Sequence, residues 1–112
     1  MREDSKAVVP SAEAFSLTDL VQYADGAIVS RTIIKQPSGT ITLFAFDRGQ
    51  ELSEHTTPYD AVVQVLEGEV RLSIGGNFVS ATAGQAVIMP AHVPHGLKAF
   101  EPFKMLLTMI RS

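Results

Sequence analysis

Turn signals recur along this chain at short and even intervals, and this recurrence limits what the chain can fold into. From residue 27 onward, glycine- and proline-containing turns stand about every eight to twelve residues, with no helical periodicity between them. The segments between the turns are rich in β-branched and apolar residues. This pattern is typical of an antiparallel sandwich or a closed barrel, so we predict an all-β fold.

Eight segments match strand patterns. Residues 69–74 alternate apolar and polar side chains, which predicts one buried face and one solvated face. Gly75 and Gly76 follow directly and predict a two-residue hairpin connection to the next strand. The predicted strands are Ala27–Ile34, Thr40–Phe46, Ala61–Leu66, Glu69–Ile74, Asn77–Ala81, Gln85–Met89, Gly96–Phe100 and Phe103–Ile110.

The first part of the chain has a different pattern from the rest. We expect residues 1–26 to form a lead-in with one short helix, and residues 27–112 to form the single domain. Ser16 can cap that helix, Asp19 can bond back to it, and Gly26 is a suitable end. The helix would present one apolar face, formed by Leu17, Leu20 and Val21.

Composition excludes several classes of function. The 112 residues carry 12 acidic and 9 basic side chains, and this acidic balance disfavours a nucleic-acid partner. The chain has no cysteine, which excludes disulfides, thiolate zinc sites and a cysteine nucleophile. Its start is polar and no apolar run is long enough to span a bilayer, so we expect a cytoplasmic protein without a membrane partner.

Two stretches carry spaced glycine, proline and histidine residues. The first runs from Gly49 through His55 to Gly68, and the second from Gly84 through Pro90 to His95. Together these stretches resemble the two motifs of the cupin superfamily, in its branch of small single-domain members (cupin type 2, conserved barrel). The resemblance covers about residues 27–111 and implies a small, usually dimeric, jelly-roll-like β-barrel. It also implies a pocket between the two motif segments.

Two of the four metal-ligand positions of that family are changed in this chain. Metal-binding cupins use three histidines and one glutamate, but Thr57 and Ala61 stand at two of these positions, which leaves His55 and His95. Asp60 would need a bulge to replace the missing glutamate, because neighbouring residues of a strand point to opposite faces. We therefore expect either no metal or weak binding of a divalent transition metal (Zn, Ni, Fe, Mn or Cu).

A third histidine leaves the metal question open. His92 stands where the family pattern has glycine, in a loop bounded by prolines. It could face solvent, or it could complete a metal site with His55 and His95. As contacts for a small-molecule ligand we expect His55, His95 and Thr57, together with Tyr59 and Gln64; Gln64 could instead be an exposed edge residue.

Three hypotheses for function follow. The first is a module that binds a small organic ligand in the barrel pocket. The second is a metal-dependent enzyme, an oxygenase, isomerase or lyase, that uses His55 and His95, with or without His92. The third is a structural dimer with a vestigial pocket. We expect a homodimer, because strands 61–66 and 103–110 are apolar on both faces except at Gln64, and the N-terminal helix or a second chain must cover the outer one.

Overall fold

The computed structural model describes residues 1–3 and 9–111, and this part of the chain is almost entirely β-structure. Residues 4–8 and 112 are outside the described residues. The described strands are β1 (Arg2–Glu3), β2 (Ile28–Gln36), β3 (Gly39–Phe46), β4 (Glu51–His55), β5 (Tyr59–Glu67), β6 (Glu69–Ile74), β7 (Asn77–Thr82), β8 (Ala86–Met89), β9 (His95–Lys98) and β10 (Phe103–Arg111). The all-β prediction is confirmed.

The strands form two hydrogen-bonded sheets. One has the order β1-β2-β3-β10-β5-β8 and the other the order β4-β9-β6-β7. Every pairing is antiparallel except that of β1 with β2. At the β6–β7 hairpin, Gly75 and Gly76 have φ of +56° and +85°, the left-handed pair that a tight two-residue turn requires. The closed barrel expected from the resemblance stays a prediction.

The inner faces of the two sheets share one apolar core. Val70 and Leu72 of β6 are buried while Arg71 between them is exposed, as the alternation in this segment predicts. Phe46 of β3 and Phe103 of β10 stack with ring centroids 4.8 Å apart at the centre of this core. Burial of these side chains is the main source of stability in a domain of this size.

The prediction of a short N-terminal helix is wrong. The structure has a single 3-10 turn, Thr18–Leu20, and the Ser16 hydroxyl contacts that of Thr18 instead of capping a backbone amide. Val21, which follows, is extended and fully buried. Its packing against the outer face of the larger sheet extends the chain before a second helical turn can form, and one isolated turn has little stability of its own.

A buried lysine holds this N-terminal segment to the sheet. Lys104 of β10 donates a hydrogen bond to the carbonyl oxygen of Thr18 at 2.7 Å and lies 3.9 Å from a carboxylate oxygen of Glu67. Tyr23 donates to the same carboxylate at 2.7 Å, and burial, followed by this contact, raises the pKa of the Tyr23 phenol. These bonds satisfy a charge that would otherwise be costly to bury.

Within the described residues, no helix has the length and hydrophobicity needed to cross a membrane.

Candidate functional site

Two histidines from neighbouring strands of the smaller sheet meet at the inner face of that sheet. His55 ends β4 and His95 begins β9, and the two residues are register partners. Their ring centroids are 4.5 Å apart in an edge-to-face arrangement. His95 is buried, with 5% of its surface exposed, whereas His55 is exposed. The pair therefore extends from the buried core, where His95 lies, to the solvent-exposed surface at His55.

Local backbone geometry brings β4 and β9 close together. The pairing of the two strands shifts register between Leu52 and His55. Gly96 follows His95, and a Cβ atom there would lie 2.9 Å from the carbonyl oxygen of Leu52. Only glycine tolerates such an approach without a backbone shift, so the residue after His95 is part of the site architecture.

A backbone carbonyl orients each imidazole ring. Nδ1 of His55 lies 2.9 Å from the carbonyl oxygen of Ser53, and Nδ1 of His95 lies 3.0 Å from that of Val93. A carbonyl oxygen can only accept, so Nδ1 carries the hydrogen in both rings, and Nε2 of the neutral ring is an acceptor. The site thus offers two ring nitrogens for a hydrogen-bond donor or for a metal ion.

The histidine pair borders a small pocket between the two sheets. Its volume is about 50 Å³, well below the roughly 300–1,000 Å³ of most drug-sized ligand sites. The polar side chains that line it are His55, Thr57 and His95. The rest of the lining is Leu52, Ala61, Met89, Gly96, Leu97, Met105, Leu107 and Met109. Such a pocket fits a molecule of few atoms, or the end of a longer one.

The residues at this pocket do not fit a complete metal site. Thr57 and Ala61 lie at the pocket with the two histidines, but the Thr57 hydroxyl is bonded to the backbone N–H and carbonyl of Tyr59, both at 3.2 Å. Asp60 is exposed and accepts a hydrogen bond from the Ala91 N–H at 2.8 Å. Within residues 1–3 and 9–111, no group of three or more His, Cys, Asp or Glu side chains is placed to hold a metal.

Three of the predicted site residues do not line this pocket. Gln64 is exposed, between the buried Val63 and Val65, on the outer face of β5. The Tyr59 ring lies 5.8 Å from the Arg111 guanidinium, and His92 is exposed on the loop between β8 and β9. Their roles as ligand or metal contacts stay predictions that this geometry does not support. Strict alternation along β5 would have assigned Gln64 to the outer face.

Sequence reasoning did not select the apolar wall of the pocket. Met105, Leu107 and Met109 alternate along β10 on the face toward the core, and Met89 of β8 joins them. Their spacing of two was a usable signal for one shared face. Nothing in the local sequence showed that this face borders a space instead of another side chain.

Comparisons with known proteins agree with this architecture. The family described as "Cupin domain" matches residues 42–110. A conserved protein of unknown function from Streptococcus pyogenes is 34% identical, with a TM-score of 0.89 over 95% of this chain and 93% of that one. A cupin 2 conserved barrel domain protein from Leptotrichia buccalis is 35% identical, with a TM-score of 0.84 over 87% of this chain and 47% of its own.

More distant comparisons support the fold alone. A cupin superfamily protein from Desulfitobacterium hafniense is 22% identical, with a TM-score of 0.88 over 95% of this chain and 97% of that one. A search of curated proteins found no match. The comparisons therefore establish the family and the fold of this chain.

Proposed function

We propose that this chain, which belongs to the cupin domain family, is a module that binds a small organic molecule in the pocket beside His55 and His95. One observation carries the proposal: two imidazole rings are oriented through Nδ1 and leave Nε2 free in a pocket whose lining is otherwise apolar except for Thr57. Among the described residues, no buried side-chain nitrogen or oxygen lacks a partner, so these two acceptors are accessible and can bond a molecule that enters the pocket.

The lining restricts the chemistry of the ligand. Two Nε2 acceptors favour a group that donates hydrogen bonds, such as a hydroxyl or an amine. The methionine and leucine side chains favour a short apolar remainder, and methionine adapts readily to different shapes. The volume of about 50 Å³ limits the buried part to a few non-hydrogen atoms. The exposed His55 side is the route by which a longer molecule would extend to solvent.

Side-chain nuclear magnetic resonance tests this proposal. We expect propane-1,2-diol to shift the Nε2 resonances of His55 and His95 until the shifts saturate. His95→Ala should weaken binding of the diol at least about tenfold, because a neutral hydrogen bond contributes about 1 kcal/mol and the packing of the imidazole ring is lost as well. Gln64→Ala, on the outer face, is the matched control and should bind like the parent. Saturable binding that survives in both His55→Ala and His95→Ala would contradict the proposal, and so would the absence of a shift with hydroxyl- and amine-bearing probes.

A metal-dependent enzyme is the second candidate function. It is favoured by the Nδ1 contacts, because metal-ligating histidines usually donate their other ring N–H to a carbonyl or carboxylate. The pocket does not supply the further ligands that catalytic metal sites use, since Thr57 and Ala61 stand at two of the four ligand positions of metal-binding cupins. An oxygenase, isomerase or lyase would need those ligands from its substrate or from water.

Restoring the two missing ligands tests the metal question. Thr57→His combined with Ala61→Glu should raise the affinity for zinc or nickel at least about 10–100-fold. Loss of a residue that only supports a metal ligand already lowers metal affinity by about this factor. Both positions line the same pocket as His55 and His95, so the new side chains would be introduced beside the histidine pair. Calorimetry on the parent and the double variant measures the difference. A parent that already binds one equivalent tightly through His55 and His95 would instead favour the enzyme.

The third candidate is a structural dimer in which the pocket is vestigial. The exposed apolar side chains on the outer face of the larger sheet favour it, among them Ile34 and Ile88. A homodimer is compatible with either of the other functions, and the cytoplasmic location expected from the sequence is compatible with all three.

A further inference from the structure

Strand β7 is an edge of the smaller sheet, and no other described strand lies along its outer side. Among the described strands it pairs only with β6. Residues 77–80 are all exposed, and the exposed fractions of Phe78 and Val79 are 68% and 37%. An open strand of this kind presents unpaired N–H and C=O groups to any other strand that approaches.

The hairpin determines which backbone groups are unpaired. Ile74 and Asn77 flank a two-residue turn, so they form a hydrogen-bonded pair. Hydrogen bonding alternates along an antiparallel strand, so the backbone groups of Asn77, Val79 and Ala81 bond to β6. The backbone groups of the alternate residues point away from β6. The N–H and C=O groups of Phe78 and Ser80 therefore point out of the sheet edge.

Thr82 supports this assignment and marks where the open edge ends. Its N–H donates to Oε1 of Gln85 at 2.9 Å, and its carbonyl accepts from the Gln85 N–H at 2.9 Å. Both of its outward groups are thus satisfied within the chain. The open part is short and consists of the four backbone groups of Phe78 and Ser80.

The opposite edge of the same sheet has the protection that β7 lacks. Strand β4 carries Glu51 and Glu54, and its pairing is irregular between Leu52 and His55. Charged side chains and bulges are the usual means by which proteins prevent edge-to-edge association. Strand β7 has the sequence NFVSAT, with no charged residue and no proline, and its pairing with β6 is regular throughout.

We propose that β7 pairs in antiparallel fashion with β7 of a second copy of this chain, about a two-fold axis at Val79. In this register Phe78 lies opposite Ser80 of the second copy, and each such pair exchanges two backbone hydrogen bonds. All the open groups of both edges are then satisfied. The two four-stranded sheets become one continuous sheet.

The side chains suit an identical partner. Val79 meets Val79 of the second copy at a non-hydrogen-bonded position, where side chains approach most closely, and its exposed part is apolar. No like charges are brought opposite each other, since β7 has none. The Phe78 ring is already stacked under the Arg71 guanidinium, 3.9 Å from its centroid, and stays beside the joined strands on the outer face.

Amide hydrogen exchange at high and low protein concentration tests the pairing directly. The Phe78 and Ser80 amides should exchange at least about tenfold more slowly at high concentration, because they become hydrogen-bonded only in the pair. The Val79 amide bonds within the chain and serves as the internal control, with no concentration dependence from this contact. Exchange at Phe78 and Ser80 that is independent of concentration would overturn the proposal.

Sedimentation of charge variants gives the second readout. Val79→Lys places two like charges at the axis and should lower the mass of the associated species, because the contact through β7 is lost. Ser53→Lys adds the same charge to an exposed position of β4 and should leave the mass unchanged. Circular dichroism checks that both variants fold. Equal masses for the parent and Val79→Lys would overturn the proposal, as would protection of the edge only by a different protein.

Discussion

At the scale of single residues, His92 shows why the family pattern has glycine at its position. Its φ is +66°, in the left-handed region that non-glycine residues seldom adopt. Its backbone N–H donates to the carbonyl oxygen of Thr57 at 2.8 Å, which holds the loop in this shape. Histidine is among the residues that tolerate the region best, so the substitution is accommodated without a role for the side chain in the pocket.

Replacing His92 tests this interpretation. His92→Gly should leave the free energy of unfolding unchanged or raise it by up to about 1 kcal/mol, because relief of backbone strain exceeds the added entropy of the unfolded chain. His92→Val should lower it by more than about 1 kcal/mol, since a β-branched residue is strongly disfavoured at positive φ. Urea unfolding of the three proteins measures both changes. A large loss of stability in His92→Gly would show that the imidazole itself is needed.

At the scale of elements, one carboxylate joins two loops that lie far apart in sequence. Oδ2 of Asp47, just after β3, accepts from the Gly26 N–H at 2.7 Å, and the Asp47 N–H donates to the Ala27 carbonyl at 3.1 Å. These bonds connect the end of the N-terminal segment to the start of β2 and the end of β3. The hydrogen bonds from the Gly26 and then the Arg48 backbone N–H hold the pKa of the Asp47 carboxyl below its usual value of 3.8.

The pH dependence of stability follows from the direction of that shift. A carboxyl whose pKa is lower in the folded state stabilises the fold above its unfolded pKa, and this stabilisation disappears as pH falls through the lowered folded value. We therefore expect Asp47→Asn to be less stable than the parent at neutral pH, with the difference shrinking below about pH 4. Thermal melts from neutral to strongly acidic pH measure it. A difference that stays constant across this range would assign the effect to something other than the ionised carboxylate.

At the scale of the whole molecule, the described residues cover only part of the outer face of the larger sheet. The N-terminal segment packs on Val29, Leu43 and Ala45. Beyond it, a row of register partners crosses five strands with one polar member: Ile34, Ile41, Thr108, Val62 and Ile88. Ile34 and Ile88 are 48% and 67% exposed. Continuous apolar surface of this kind is typical of a protein–protein contact.

A homodimer through this face is the corresponding prediction. We expect the native mass from light scattering at micromolar concentration to exceed that of one chain, and Ile88→Glu to reduce it, because a buried unpaired charge at an interface is costly. Gln22→Glu, exposed on the N-terminal segment, is the control and should leave the mass unchanged. A single-chain mass for the parent would contradict both this contact and the one proposed for β7.

The sequence alone determined the features that depend on neighbouring residues. The alternation of residues 69–74 and the glycine pair after them predicted β6, its buried face and the hairpin to β7, because side-chain direction and turn geometry are local properties. The resemblance to the two cupin motifs added one long-range expectation, a pocket between the motif segments, and the structure makes His55 and His95, one from each motif, register partners.

The tertiary structure alone decided the features that several distant segments build together. Packing of Val21 against the larger sheet replaced the expected helix with one 3-10 turn. Whether Gln64 would reach the pocket depended on which face of β5 meets the core. Whether His92 would reach it depended on the shape of a loop with positive φ at that residue. The size of the pocket depended on residues from both sheets, among them Met89, Met105 and Met109. No local pattern records the distance between two sheets, because side-chain packing across the core sets it.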